Sequence, residues 1–247
     1  MEKFIRAFLL KTVGVKNYLS FVSDVYIRLI KLGLLKKKYP ELFYLKELVK
    51  PGFVCIDLGA NVGYYSTFLS LHATETGHIH SVEPVDLFAG IFKRNVKKFA
   101  LGNITLYQTA LGSENKKMKM GTPMIDGVFR HGLTKVVSNN EAKNMHTYEV
   151  EMRVPDELFS PLQRLDFLKC DVEGYEIFIM PHFIKTISRF RPLIQMEISG
   201  AENRRQIFNL FFPMGYSVCK LYNHSLQKMS AEEAMNYEIG DFYFSVN

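Results

Sequence analysis

The chain has 247 residues, 47% hydrophobic and 23% charged, a composition that suits one domain with a full core and excludes disorder on the scale of a domain. The formal charge of +6 admits an anionic substrate, a membrane surface or nucleic acid, and demands none of them. No stretch approaches the roughly 18 apolar residues of a membrane span, and Cys55, Cys170 and Cys219 fit no zinc or CxxC spacing, so they read as reduced core thiols of a cytoplasmic protein.

Residues 1–50 read as helical. Phe4 and Phe8, then Tyr18, Phe21, Val22, Val25, Leu29 and Leu32, recur at helical spacing. Gly14 and Gly33 are breaks, Lys36, Lys37 and Lys38 form a basic cluster, and a last helix over 41–50 stops at Pro51 and Gly52. The apolar stretch 7–10 ends at Lys11, so no secretion signal is expected. Apolar faces at this spacing usually meet a core, and residues 1–50 are expected to form a helical cap. Peripheral membrane contact is a second use of the same helices.

From Phe53 onward strands and helices alternate. Strands are expected over 53–58, 78–82, 104–109, 167–170, 193–197, 216–221 and 242–246, and helices over 64–71, 86–99, 175–190 and 202–212. This order predicts a doubly wound, mainly parallel α/β sheet over residues 51–247. The last two strands have between them at most a short helix over 231–235, so an antiparallel edge strand is expected. Between 111 and 155 the rhythm breaks. Short β-like pieces at 117–120, 135–137 and 148–154 lie among Gly, Asn and Ser. Long irregular excursions are usually functional or disordered, and 112–155 is read as an irregular β-rich insertion facing the substrate over the carboxyl edge of the sheet.

The sharpest motif is Val54-Cys-Ile-Asp-Leu-Gly-Ala-Asn-Val-Gly63, a strand, a tight turn and a helix start. Gly59 permits a positive φ or a close ligand approach, and Gly63 lets the helix pack near the strand. The helix N-terminus offers N–H groups and a positive dipole end. Glu83 ends the next strand, where an acid can accept from both hydroxyls of a ribose. Together these residues predict a nucleoside-containing cofactor beyond the strand ends. The dinucleotide fingerprint requires glycine where this chain has Asn61. Asp57, just before the turn, adds a negative charge that a pyrophosphate cannot use and that an ammonium and a sulfonium can. The turn therefore favours S-adenosylmethionine over NAD.

A second strand-to-helix junction, Phe167-Leu-Lys-Cys-Asp-Val-Glu-Gly-Tyr-Glu176, puts Asp171 at a carboxyl strand end with Glu173 two residues on. Helix capping accounts for one acid there. Asp171, Glu173 and Glu176 together, on the edge where α/β sheets bind ligands, point to function as well.

With both junctions the chain resembles the FkbM-type methyltransferases. The resemblance rests on Ile56-Asp-Leu-Gly-Ala-Asn-Val-Gly63, Ser81-Val-Glu-Pro84, Ala110-Leu-Gly112, Leu168-Lys-Cys-Asp-Val-Glu-Gly-Tyr-Glu176 and Pro192-Leu-Ile-Gln-Met-Glu197, and covers roughly residues 50–199. Cys170 stands where an aliphatic residue is more usual. The resemblance implies a Rossmann-like class I methyltransferase fold and O-methylation of hydroxyls on sugars, glycolipids or polyketides. It implies that Asp57, Gly59, Asn61 and Gly63 line the methionine part of S-adenosylmethionine, with Ala60 and Tyr64 also binding the cofactor. Glu83, with Pro84 beside it, would hold the ribose, Thr109 and Ala110 would flank the adenine, and Asp171 would lie beside the methyl donor.

A sugar hydroxyl is a weak nucleophile, so a base is expected. The candidates are Asp171, Glu173, Glu197 and His131, the last inside the insertion with Arg130 beside it to grip an anionic group. Asp171 and Glu197 end neighbouring strands and are suited to share a divalent cation, although no metal site is assigned. The expected partner is a small-molecule or glycan acceptor. An NAD-linked oxidoreductase and a nucleic-acid-binding protein on the same fold are the competing readings. Asn61 counts against the first, and the lack of an Asn-Pro-Pro-Tyr segment counts against the second.

Overall fold

The computed structural model describes residues 10, 12–125, 128–138, 140–238 and 240–246; Phe4 and Phe8 lie outside them. In chain order the strands are β1 (Val54–Leu58), β2 (His78–Val82), β3 (Ile104–Tyr107), β4 (Ala110–Leu111), β5 (Lys116–Ile125), β6 (Val128–Phe129), β7 (Lys135–Val136), β8 (Met145–Arg153), β9 (Phe167–Cys170), β10 (Leu193–Met196), β11 (Tyr216–Tyr222), β12 (Ser225–Lys228) and β13 (Phe242–Val246). The helices are α1 (Val15–Lys31), α2 (Pro40–Leu48), α3 (Tyr64–Ala73), α4 (Asp86–Phe99), α5 (Pro155–Leu158), α6 (Glu176–Ile179), α7 (Ile184–Phe190), α8 (Ala201–Phe211) and α9 (Ala231–Asn236).

An eight-stranded sheet in the order β12-β11-β13-β10-β9-β1-β2-β3 forms the centre. β3, β2, β1, β9 and β10 are parallel neighbours. They are short and mostly apolar because helices cover both faces. β13 runs antiparallel between β10 and β11, so the antiparallel strand expected at the edge is interior. The edge belongs to β12, which the sequence reading leaves unassigned. Its hairpin with β11 turns through Asn223 (φ 47°) and His224 (φ 60°). Two left-handed residues make the tight hairpin turn that an Asn-Gly pair would have signalled.

Two further expectations change. The helix expected over 175–190 is broken into α6, a 3-10 turn at Met180–His182, and α7. Pro181 has no N–H to continue an α-helix and clashes with the preceding turn. The insertion is regular rather than irregular: β5 and β8 pair antiparallel from Lys116↔Met152 to Pro123↔Met145, with β4 on β8 and both β6 and β7 on β5. The expected strand over 104–109 stops at Tyr107, and Ala110–Leu111 joins this second sheet.

α1 carries Leu19, Ile27 and Ile30 on its buried side and packs along α4. Arg94 Nη1 donates to the Ser20 carbonyl (2.8 Å), Asn95 Nδ2 donates to Ser23 Oγ (2.9 Å), and Lys98 contacts Asp24. Asn95 Nδ2 also reaches the Val62 carbonyl (2.8 Å), which ties α4 to the glycine turn.

Candidate functional site

Beyond the carboxyl ends of β1, β2 and β9 lies a cavity of about 330 Å³. Its floor is Gly59, Ala60 and Asn61. Glu83, Pro84, Thr109 and Ala110 stand on one side, and Lys169, Asp171 and Glu173 on the other. Ile30, Tyr39 and Leu42 come from α1, α2 and the turn between them, and Met120, His131, Thr134 and Val136 from the insertion.

The glycine turn is held by close backbone packing. Gly59 has φ 80°, and a Cβ there would sit 1.8 Å from the Asp171 carbonyl oxygen, so only glycine lets the β1 and β9 turns meet. The N–H groups of Gly59 and Ala60 both donate to the Val82 carbonyl (3.1 and 3.0 Å). Asn61 (φ 49°) donates its N–H to Glu83 Oε2 (2.9 Å), and Val85 N–H reaches Oε1 (2.8 Å). Glu83 is thereby fixed against the cavity. Burial pushes its carboxyl up to about 7, against the pull of the two backbone donors.

His131 meets the same turn. Its Nδ1 lies 3.1 Å from Asn61 Oδ1, and Asn61 Nδ2 donates to the His131 carbonyl at 3.4 Å. With Nδ2 the donor, Oδ1 must accept, so His131 Nδ1 carries a hydrogen, and in the neutral form of the ring Nε2 is the acceptor nitrogen. Thr109 Oγ1 donates to the Glu151 carbonyl of β8 (2.8 Å), a second tie between the sheet and the insertion.

Opposite Glu83, the β9 turn sorts its acids. Glu176 is buried, and its Oε1 accepts from the N–H groups of Val172 (3.1 Å) and Gly174 (3.3 Å); it clamps the turn. Asp171 and Glu173 line the cavity. Glu173 holds a left-handed φ of 54°, a strained conformation for a residue with a side chain. Burial, followed by repulsion from Asp171, Glu197 and Glu176, pushes its carboxyl up to about 8.

Three expected residues lie off the cavity wall. Asp57 is fully buried beneath the turn, because strand alternation aims it at α3, where its Oδ2 accepts from Ser66 Oγ (2.5 Å). Among the described residues its Oδ1 has no hydrogen-bond partner, and burial raises its pKa. Gly63 caps α3, packed against Phe92. Glu197 faces a neighbouring space with Glu41, Arg204 and Asp241, and its carboxyl is pushed up to about 7 by burial, then by Asp171 and Asp241.

Lys169 is the residue to which the sequence reading gave no role. It is only 3% exposed, its Nζ lies 3.1 Å from Asp171 Oδ2, and it sits 4.4 Å from the Tyr65 ring centroid. Burial disfavours its charge. Asp171, Asp57 and Asp241 more than offset that and hold it above the ordinary lysine range. Strand register explains the grouping: Ser81, Asp57, Lys169, Gln195 and Tyr243 are successive partners across β2, β1, β9, β10 and β13. One polar row thus crosses the sheet under the cavity. The available signal was a lone cation inside the apolar strand Phe167–Cys170. Among the described residues, no group of three or more His, Cys, Asp or Glu side chains is arranged to hold a metal.

The chain matches the family model for the methyltransferase FkbM domain over residues 57–239. Among solved structures, an FkbM methyltransferase from Methylobacillus flagellatus KT aligns at 14% identity and TM-score 0.48, covering 97% of this chain and 60% of that one. Precorrin-6y C5,15-methyltransferase from Geobacter metallireducens GS-15 aligns at 14% identity and TM-score 0.45, over 85% and 87%. Aeropyrum pernix fibrillarin, solved with natively bound S-adenosyl-L-methionine, aligns at 13% identity and TM-score 0.45, over 81% and 68%. No curated protein matches the chain. The family match takes in the glycine turn, Glu83 and the whole β9 junction, and on it this chain belongs to the FkbM methyltransferase family.

Proposed function

We propose that this enzyme transfers a methyl group from S-adenosylmethionine to a hydroxyl oxygen of a sugar-bearing or polyketide-like small molecule. The observation that carries the reading is the convergence of Glu83, the Gly59–Asn61 turn and Asp171 on one cavity. Its volume of about 330 Å³ falls in the range of small-ligand sites, roughly 300–1,000 Å³. The residues fit the cofactor: Glu83 has lone pairs left to accept from two ribose hydroxyls, Thr109 and Ala110 offer a small-residue wall for the adenine, and the acidic side of Asp171 suits a cationic donor.

When bound, S-adenosylmethionine supplies an electrophilic methyl group on sulfonium. The chain's residues then have three tasks. Asn61 and Glu83 fix the floor and one wall, and alignment of this kind supplies up to roughly 7–11 kcal/mol of barrier reduction. Lys169 holds Asp171, a positioning residue or hydrogen-bond acceptor for the incoming hydroxyl. The proton of that hydroxyl goes to a base, for which His131 Nε2 is favoured. Glu173, pushed up to about 8, holds its own proton at neutral pH and serves better as a donor to the acceptor. Glu197 lies in the neighbouring space and does not line the cavity, which argues against a direct role on the acceptor. Residues 1–50 are read as a cap that closes one wall, and 112–155 as the insertion that selects the acceptor.

The buried free thiols Cys55, Cys170 and Cys219 support a cytoplasmic setting. Among the described residues no helix is long and apolar enough to cross a membrane. A lipid-linked glycan is an acceptor that would fit both this setting and the largely apolar cavity. The test is transfer of labelled methyl to a panel of glycan and polyketide acceptors, with the alkali stability of the product distinguishing an ether from an ester. An ether product, lost in Asp171→Asn and His131→Ala, supports the reading; a label found on nitrogen or carbon defeats it.

A further inference from the structure

The chain's charge is unevenly placed. Residues 1–38 hold nine of the 31 Lys and Arg but only Glu2 and Asp24 of the 25 Asp and Glu. Residues 39–247 are left with 22 cations against 23 anions. The excess of +6 therefore resides wholly in the first 38 residues.

Asp24 is buried and turned inward, in contact with Arg28, Arg94 and Lys98. At the end of α1 and on the turn that follows it, Lys31, Lys36 and Lys37 are exposed. Among the described residues, none of these three forms an ion pair. Set among them are Phe21, Leu32 and Leu34, exposed by 68%, 74% and 51%. Leu32 caps α1 close to three turns beyond Phe21, so the two sit near one line of the helix surface. Large apolar side chains rimmed by cations are the pattern of a surface that rests on anionic lipid. A nucleic-acid backbone would use the lysines but gain nothing from Phe21, Leu32 and Leu34.

This face backs directly onto the central cavity. Ile30 and Leu42 line that cavity and also an outer groove of about 630 Å³ that includes Lys31, Lys36 and Lys46. We propose that α1 and the turn over 32–38 seat the protein on an anionic bilayer, with Phe21, Leu32 and Leu34 at the acyl boundary and the lysines on lipid phosphates. The inference does not rest on the methyl-transfer reading, since vesicle binding requires no cofactor.

The test is co-sedimentation of the full chain with vesicles of phosphatidylcholine containing phosphatidylglycerol, and with vesicles of phosphatidylcholine alone. Binding is expected to the first only, weakening as salt rises. The pair Lys36→Glu and Lys37→Glu should weaken it at least roughly tenfold. The pair Phe21→Ser and Leu32→Ser should weaken it as well, with the thermal midpoint unchanged in both variants because all four side chains are exposed. Failure of the wild type to sediment with anionic vesicles would overturn the proposal. So would binding that ignores the Phe21 and Leu32 changes and is matched on a random DNA duplex, which would assign the cations to nucleic acid.

Discussion

Glu83 connects burial to ligand binding through its proton. Its folded pKa, about 7, lies above that of an unfolded glutamate, so the native state binds the extra proton. Stability from this group is fully present below the unfolded pKa and is lost as pH rises through 7, a fall of about 3 kcal/mol. Glu173, Glu197 and Asp241, pushed up to about 8, 7 and 6, act in the same direction. Denaturation of the unliganded protein between pH 5 and 8 should show this decline, and Glu83→Gln should make it shallower by the share of that one group. The ribose hydroxyls of the proposed cofactor donate to the ionised form, so affinity should improve as pH climbs toward 7 and level off above it. Affinity independent of pH would remove Glu83 from that role.

Lys169 makes a contrasting case. Lys169→Met leaves Asp57, Asp171 and Asp241 without their buried cation, which should cost about 3–5 kcal/mol. The cost should be larger at pH 8 than at pH 5, where the carboxyls can take up protons. Gly59→Ala should cost about 2–4 kcal/mol, because the Asp171 carbonyl has to move. Chemical denaturation measures both. At this scale the sequence was readable for Glu83, Asn61, Asp171 and Glu173, whose place at strand ends follows from motif spacing. It was not readable for Asp57, whose side chain turns from the cavity toward α3, or for Lys169, whose place beside Asp171 at the cavity wall comes from its register with Asp57. Which face a short, wholly buried strand shows to the ligand edge is set by lateral register, not by the residues of that strand.

Among the elements, the parallel core was legible because buried strands are short apolar runs and the helices between them keep a 3.6-residue period; β2, α4 and β9 begin and end where that pattern says, as does the antiparallel β13. The errors have local causes. Pro181 divides an otherwise periodic helix, and a hairpin through Asn223 and His224 has no glycine to announce it. β5, expected only as a short β-like piece over 117–120, reads Lys-Lys-Met-Lys-Met-Gly-Thr-Pro, poor in β-branched residues, and extends to Ile125 through its long pairing with β8. The contact between that sheet and the glycine turn runs through Asn61 and His131. Asn61→Gly, which keeps the left-handed backbone (φ 49°), should therefore leave global stability within about 1 kcal/mol while hydrogen exchange quickens around 131–136. An unchanged exchange pattern there would mean that the insertion holds its place through Thr109, the β4–β8 pairing and packing instead.

For the whole molecule, the fold class and family follow from a turn, an acid and a second acidic junction in their order along the chain. The acceptor does not, because the walls that would choose it come from the N-terminal helices and the insertion, outside the motifs. What unites the scales is the claim that one cavity, floored by Gly59–Asn61 and walled by Glu83 and Asp171, holds S-adenosylmethionine. Calorimetric titration of the full chain with S-adenosylmethionine, with NAD as control and Glu83→Ala in parallel, tests that claim most directly. Saturable binding of S-adenosylmethionine, none of NAD, and at least a tenfold loss in the variant, about 1.4 kcal/mol, is the predicted result. Binding of NAD instead, or S-adenosylmethionine binding untouched by the loss of Glu83, would contradict it.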